Sequence, residues 1–169
     1  MTRRYVLTGA PGAGKTTIAL ALRELGYAVV DEAATDVIGE SPELETDHPA
    51  FLARILQVQN ERRLAQRSAL QIHDRAPACT LALAVYLGVT PSRALRKAAE
   101  NNGTYERTVF FVGLMGFIVP TRARRISLED SRRFERIHAA VYRELGYELV
   151  EVPPGVVENR VATVIAGIG

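Results

Sequence analysis

Short apolar runs alternate with longer segments of helical period along this chain. The runs that predict buried strands lie at residues 5–8, 28–30, 70–73, 108–112 and 148–152. The segments that predict helices lie at residues 17–25, 49–68, 77–87, 91–101, 127–145 and 156–168, with a loop at 41–48. Because parallel strands need crossover connections and bury both faces, this alternation predicts an α/β fold in which helices cover both sides of a five-stranded parallel sheet.

The composition fits one globular domain that spans residues 1–169. Hydrophobic residues make up 47% of the chain and the net charge is only +2, so we expect no general nucleic-acid binding. No apolar run approaches the ~20 residues of a membrane span, and the start of the chain lacks a secretion signal. A single cysteine, Cys79, suits a reducing compartment. We therefore expect a cytoplasmic chain that begins at Met1, and its oligomeric state stays open.

Residues 9–16 read Gly-Ala-Pro-Gly-Ala-Gly-Lys-Thr, a complete match to GxxxxGK[ST] between a predicted strand and a predicted helix. Glycines let backbone N–H groups converge on phosphate oxygens, and the start of the helix adds its positive dipole end. Lys15 is predicted to hold the β- and γ-phosphates of ATP or GTP, and Thr16 to place its hydroxyl on Mg²⁺. The predicted nucleotide-binding residues of this P-loop are Gly9, Ala10, Pro11, Gly12, Ala13, Gly14, Lys15, Thr16 and Thr17.

Acidic residues follow two of the predicted strands. Asp31 and Glu32 follow strand two, which comes directly after the first helix; by analogy with small kinases, that strand lies at the sheet edge, across the acceptor cleft. Strand three is expected beside strand one, which gives the order 2-3-1-4-5. Asp74 at its end is therefore the predicted Mg²⁺ acid, acting through water, and Arg75 is predicted to lie against the phosphates. A surface ion pair is the alternative for Asp74 and Arg75.

Transfer of a phosphoryl group to a hydroxyl needs a carboxylate within reach of that hydroxyl. Glu32 and Asp31 are both candidates for this carboxylate, because both follow the strand that is expected across the acceptor cleft. Either side chain could instead cap the helix that follows, through its N-terminal dipole. The sequence leaves open which of the two acts.

Phosphoryl transfer also needs cations around the transferred group. Arg122, Arg124 and Arg125 are the candidates, in a segment at about 113–127 that contains two glycines and a proline before its arginines. Such a segment is predicted to form a mobile lid that closes over the phosphates and excludes water. A solvated basic loop is the alternative.

The remaining reactive side chains are predicted to have structural roles. Cys79 is expected to be a small buried residue without a nearby histidine to make it a nucleophile. His48, His73 and His138 lack the spacing of metal ligands, so we interpret none of them as a ligand.

Together these segments resemble a known group, the small single-domain AAA-like ATPase domains of the P-loop NTPase superfamily, whose cores are similar to adenylate kinase and nicotinamide riboside kinase. The matching segments are residues 9–17, 31–34, 73–77, 121–125 and 145–153. The resemblance implies that the loop at Pro153 and Pro154 lines the nucleotide base. Asp74 and Arg75 also look like the acid–arginine pair that nucleoside and thymidylate kinases place near metal and phosphate. Where this group often has an arginine after strand two, the chain has Thr35.

Two function hypotheses follow from these residues and from the resemblance. The first is a small-molecule kinase that moves the γ-phosphoryl group of ATP or GTP, with Mg²⁺, onto a hydroxyl held near Glu32. The second is a nucleotide-binding switch or partner-binding module with slow hydrolysis. A ring-forming motor is disfavoured, because one P-loop core fills the 169 residues. Turnover that depends on Glu32 or Asp31 would distinguish a kinase from a switch.

Overall fold

A parallel sheet lies at the centre of the computed structural model, which describes residues 1–100, 103–116 and 126–169. Its five strands are β1 (Arg3–Thr8), β2 (Ala28–Val30), β3 (Leu70–Asp74), β4 (Thr108–Val112) and β5 (Glu148–Val152). Their order is β2-β3-β1-β4-β5, and all neighbouring strands are parallel. The order predicted from the sequence is therefore confirmed. In the register of β1 with β3, Leu7 lies beside Asp74.

Helices connect the strands. Those that the structure describes are α1 (Lys15–Glu24), α2 (Ala34–Glu40), α3 (His48–Ala65), α4 (Pro77–Leu87), α5 (Arg93–Ala99), α6 (Leu128–Glu144) and α7 (Val157–Ile168). In three of them the side chain of the N-cap residue itself accepts from the first turn: Asp47 accepts from the N–H of Ala50, Ser92 from that of Leu95, and Ser127 from that of Asp130. None of these helices is long and apolar enough to cross a membrane.

The structure differs from the sequence pattern between β2 and β3. Helix α2 and a 3-10 helix at Pro42–Glu45 occupy residues for which the pattern predicts either no element or a loop. Both are too short to display a helical period, which needs about two turns to be recognisable. Helix α3 ends at Ala65 rather than near Ser68, because Gln66 adopts an extended conformation.

The core lies on both faces of the sheet, as the pleat of a buried parallel strand requires. Leu7 packs with α1 and α7, whereas the next residue back along β1, Val6, packs with α4 and α6. Both side chains are fully buried. Each such side chain stabilises the fold by about 1.5–3 kcal/mol, so the alternation along β1 anchors helices to both faces.

Because all five strands run in one direction, their carboxyl ends meet along one edge of the sheet. The P-loop follows β1, Asp31 and Glu32 follow β2, and Asp74 ends β3. The loops after β4 and β5 reach the same edge, where the N–H of Gly113 donates to the carbonyl oxygen of Val152 at 3.0 Å. Ligands of open α/β sheets bind at this edge.

Candidate active site

The P-loop is held in a conformation that requires glycine. Gly9, Gly12 and Gly14 have φ angles of 142°, 84° and 85°, in the region that residues with a Cβ rarely adopt. A Cβ on Gly9 would also lie 2.4 Å from the carbonyl oxygen of Val112. Helix α1 begins at Lys15 with neither a side-chain cap nor an acidic residue in its first turn. Its first N–H groups are therefore available to an anion.

Lys15 is folded back onto the loop that carries it. Its Nζ donates to the carbonyl oxygens of Gly9 at 2.9 Å and Ala10 at 2.8 Å. Burial lowers the pKa of Lys15 to about 7, and the nearby guanidinium of Arg75 contributes to the lowering. A phosphate group near Nζ would supply the negative charge that this buried ammonium lacks, so the arrangement suits an anionic ligand.

A cavity of about 800 Å³ opens in front of the P-loop, a size typical of small-molecule sites. It extends from β2 at one side of the P-loop to the loops after β4 and β5 at the other. The polar residues that line it are Lys15, Thr16, Thr17, Glu32, Thr35, Asp74, Arg75 and Arg160. The other lining residues are Pro11, Gly12, Gly14, Ile18, Ala34, Ile38, Phe51, Leu83, Met115, Phe134, Gly155 and Val157.

The structure separates the two acids that follow β2. Glu32 lines the cavity, and its two carboxylate oxygens accept from the N–H groups of Ala34 at 2.6 Å and Thr35 at 2.9 Å. Glu32 therefore caps the start of α2, as the alternative interpretation holds, while it also faces the cavity. Asp31 is exposed and accepts from Arg23 at 2.6 Å on the protein surface. It does not line the cavity.

Asp74 lies at the floor of the cavity and is 8% exposed. Among the described residues, its buried Oδ1 has no hydrogen-bond partner, and burial raises the pKa of its carboxyl against the opposing attraction of Lys15 and Arg75. A buried carboxylate oxygen with a free lone pair, next to a cavity that Thr16 also lines, offers the oxygen ligands that Mg²⁺ prefers. The residues present therefore fit a Mg²⁺ ion that would complete its coordination with water and phosphate.

Arg75 adopts a left-handed backbone conformation with a φ of 74°, which is uncommon for a residue with a side chain. Its N–H donates to the carbonyl oxygen of Leu7 at 2.9 Å, which holds the end of β3 against β1. Asp74 and Arg75 both line the cavity, and within the described residues they do not form the surface ion pair considered from the sequence.

The expectation that Cys79 has no histidine near it is wrong. Nε2 of His138, on α6, lies 2.9 Å from Sγ of Cys79 on α4. Nη1 of Arg75 donates to the same sulfur at 3.1 Å. The thiol is buried behind the cavity wall and does not line it, so it contacts Arg75 and not a ligand. Packing of α4 against α6 produces this contact, which residue spacing does not reveal.

Arg160 is a cavity residue that the sequence analysis missed. It lies on α7 among the apolar positions Val157, Val161 and Val164, and only 4% of it is exposed. The one signal in the sequence is this charged residue on the apolar face of an amphipathic helix. Its guanidinium donates to carbonyl oxygens of the P-loop and of two neighbouring loops.

The loop after β5 reaches the cavity at Gly155. Gly155 lines the cavity, and the carbonyl oxygen of Pro153 accepts from Arg160. The side chains of Pro153 and Pro154 do not line the cavity. Arg122, Arg124 and Arg125 lie in residues 117–125, outside the described residues.

A family model described as an AAA domain matches residues 4–160 of this chain. A comparison with curated proteins returned no match. Among solved structures, deoxyadenosine kinase from M. mycoides with bound dATP is 15% identical, with a TM-score of 0.63 and 98% of each chain covered. Thymidylate kinase from Ehrlichia chaffeensis is 14% identical, with a TM-score of 0.69 and 99% of each chain covered. Shikimate kinase from Acinetobacter baumannii in complex with shikimate is 20% identical, with a TM-score of 0.63 over 99% of this chain and 93% of that one. At these identities the likeness demonstrates a shared fold.

Proposed function

This chain belongs to the AAA domain family of P-loop proteins, and we propose that it is a kinase that moves the γ-phosphoryl group of ATP or GTP onto a hydroxyl of a small molecule. The hydroxyl oxygen attacks the γ-phosphorus, and the bond from that phosphorus to the oxygen bridging it to the β-phosphate breaks. ADP or GDP leaves, and the proton of the hydroxyl passes to a carboxylate of the protein.

One observation carries this proposal: the phosphate cradle and a separate carboxylate, Glu32, line the same cavity. Hydrolysis needs only room for water, whereas this cavity continues beyond the P-loop toward β2. Apolar walls on that side come from Ile38, Phe51 and Leu83, which belong to one apolar cluster with α2 and α3. Apolar walls with a few placed polar groups are typical of pockets that hold an organic molecule. This part of the cavity therefore suits an acceptor.

Each polar residue of the cavity has a proposed role in this reaction. Lys15 turns from its loop carbonyls to the β- and γ-phosphates, and Arg75 adds positive charge from the end of β3. Glu32 accepts the proton of the hydroxyl; its carboxylate is already oriented by two backbone N–H groups and keeps further lone pairs. We do not assign this role to Asp31, because it is paired with Arg23 on the surface. Arg122, Arg124 and Arg125 remain predicted cations of the transferred group.

Mg²⁺ would be held by Asp74, directly or through water, and by the hydroxyl of Thr16. When bound, the ion neutralises charge that develops on the β- and γ-oxygens. Asp74→Asn keeps the shape of the side chain but loses its charge, so we expect it to weaken the Mg²⁺ dependence of nucleotide binding. Equal Mg²⁺ dependence in Asp74→Asn and the unsubstituted protein would remove Asp74 from the site.

The test is a nucleotide-consumption screen over nucleosides, vitamins and aminoglycoside-type hydroxyl compounds, with product phosphorylation followed by mass spectrometry. Glu32→Gln is then compared with Asp31→Asn, a matched change at the neighbouring residue. We expect Glu32→Gln to lose phosphorylation by roughly 10²-fold or more while it binds nucleotide normally, and Asp31→Asn to keep both. Melting temperatures establish that Glu32→Gln, which retains one acceptor for the start of α2, stays folded.

Two outcomes would contradict the proposal in different ways. Failure of ATP and GTP to bind, seen as a flat melting temperature across millimolar nucleotide, would exclude a nucleotide site altogether. Tight binding with slow hydrolysis that is unchanged in Glu32→Gln, and no phosphorylated acceptor, would instead favour a nucleotide-dependent switch.

A further inference from the structure

Arg160 contacts three loops with one guanidinium. Nη1 donates to the carbonyl oxygen of Ala13 in the P-loop at 2.7 Å. Nη2 donates to that of Gly113 after β4, also at 2.7 Å, and Nε donates to that of Pro153 after β5 at 3.0 Å. The planar guanidinium has donors in a fixed fork, so these contacts fix the relative positions of the three loops.

No acidic side chain in the described part of the chain neutralises the positive charge of Arg160. Arg160 forms no salt bridge there, and burial lowers the pKa of its guanidinium. Carbonyl oxygens are its only oxygen partners among the described residues. A buried cation without an acid is costly for folding alone. Its position beside the P-loop, on the wall of the cavity, is therefore explained better by a ligand than by stability.

The side chain is also fitted closely to the P-loop. A Cβ on Gly14 would lie 2.9 Å from Nη1 of Arg160, so the glycine before α1 allows the guanidinium its approach. Two of the loops that Arg160 contacts, those after β4 and β5, lie on the side of β1 opposite to β2. If the acceptor occupies the part of the cavity near β2, the nucleoside part of the nucleotide lies near β4 and β5, beside Met115, Gly155 and Val157.

We propose that Arg160 is a positioning residue that ties the P-loop to the loops after β4 and β5, so that the triphosphate and the nucleoside of one nucleotide bind to a single preorganised frame. This inference rests on the proposed function, because it requires that the cavity binds a nucleoside triphosphate. Loss of the guanidinium should then weaken binding of the whole nucleotide more than binding of the phosphate chain alone.

The experiment compares ATP with inorganic tripolyphosphate, both with Mg²⁺, by calorimetry. In Arg160→Ala we expect the Kd for ATP to rise about tenfold or more, and that for tripolyphosphate by less than about threefold. Millimolar ethylguanidinium should restore ATP binding, whereas ethylammonium should not, because only the former has the planar fork. Asn159→Ala, an exposed neighbour on the same helix, is the control and should change neither Kd.

A second variant, Arg160→Lys, tests the same inference if Arg160→Ala does not fold. Arg160→Lys keeps the charge and the aliphatic stem but loses the fork, and it should show the same selective loss for ATP. Equal weakening of both ligands, or no weakening in a folded variant, would overturn the inference. Equal binding of ATP and tripolyphosphate by the unsubstituted protein would overturn it too, but would leave the triphosphate site in place. Binding of neither ligand, nor of GTP, would overturn the proposed function as well.

Discussion

Nε2 of His138 lies 2.9 Å from Sγ of Cys79, in a buried cluster that also contains Arg75. The cluster connects three elements, because Arg75 follows β3, Cys79 lies on α4 and His138 lies on α6. The thiol therefore contacts two polar groups, although it lies in a region that is otherwise apolar.

The first prediction concerns Cys79. In an apolar core, serine at a cysteine position is expected to be worse than alanine, because its hydroxyl would lack a partner. Here the hydroxyl of Cys79→Ser could accept from Arg75 and contact His138. Cys79→Ala instead leaves Arg75 and His138 without a polar partner at this position. We expect Cys79→Ala to lower the free energy of unfolding by about 1–3 kcal/mol and Cys79→Ser to lower it less, as measured by urea denaturation. The reverse order would mean that the thiol acts only as an apolar residue.

The second prediction concerns acid stability. Burial lowers the pKa of His138 well below its usual value, and Arg75 and Lys15 add to the lowering. The unfolded chain binds a proton at this histidine below about pH 6.5, whereas the folded protein does not. The free energy of unfolding should therefore fall as the pH decreases from 6.5, by at most about 1.4 kcal/mol per pH unit from this group.

Replacement by glutamine separates this contribution from those of other groups. In His138→Gln the slope of the unfolding free energy between pH 6.5 and 4.5 should be shallower than in the unsubstituted protein. An identical slope in His138→Gln and in the unsubstituted protein would show that His138 is not the group that resists protonation.

The third prediction follows from Lys15. With a pKa of about 7, its amine is mostly neutral at pH 8, and a bound triphosphate favours the charged form. Nucleotide binding at pH 8 should therefore take up close to one proton, and affinity should fall as the pH rises from 7 to 9. Calorimetry in buffers of different ionisation enthalpy measures the uptake. Lys15→Arg, which stays charged, should remove it; uptake that persists in this variant would come from another group.

The fourth prediction compares two glycines. Gly9→Ala places a Cβ against the backbone of Val112 at a φ of 142°, so we expect it to lower the free energy of unfolding by about 2 kcal/mol or more. Gly39 lies in α2, and nothing lies within 4 Å of the position that a Cβ would take there. Gly39→Ala should therefore raise stability, by up to about 1 kcal/mol. Thermal denaturation of both variants measures the difference, and equal effects would contradict the constraint at Gly9.

Much of the fold and part of the site could be predicted from local sequence. The P-loop is contiguous, so its glycines, Lys15 and Thr16 reveal a phosphate cradle without knowledge of the fold. The five strands are apolar runs between turn residues. Their order was predicted by analogy with small kinases, in which the strand that comes directly after the first helix lies at the edge of the sheet. Helix α2 could not be predicted in this way, because seven residues are too few to display a period.

Only the tertiary structure decided the contacts between distant segments. It separated Asp31 from Glu32, adjacent residues of the same charge, because Arg23 pairs with Asp31 while backbone N–H groups hold Glu32 toward the cavity. It brought His138 to Cys79 across 59 positions and Arg160 to Ala13 across 147. Residue spacing encodes which face of a helix or strand a side chain occupies, whereas the partner on that face depends on which elements pack there. The sequence by itself thus determined a phosphate cradle on a parallel sheet, and packing at the carboxyl edge of that sheet determined which side chains surround it.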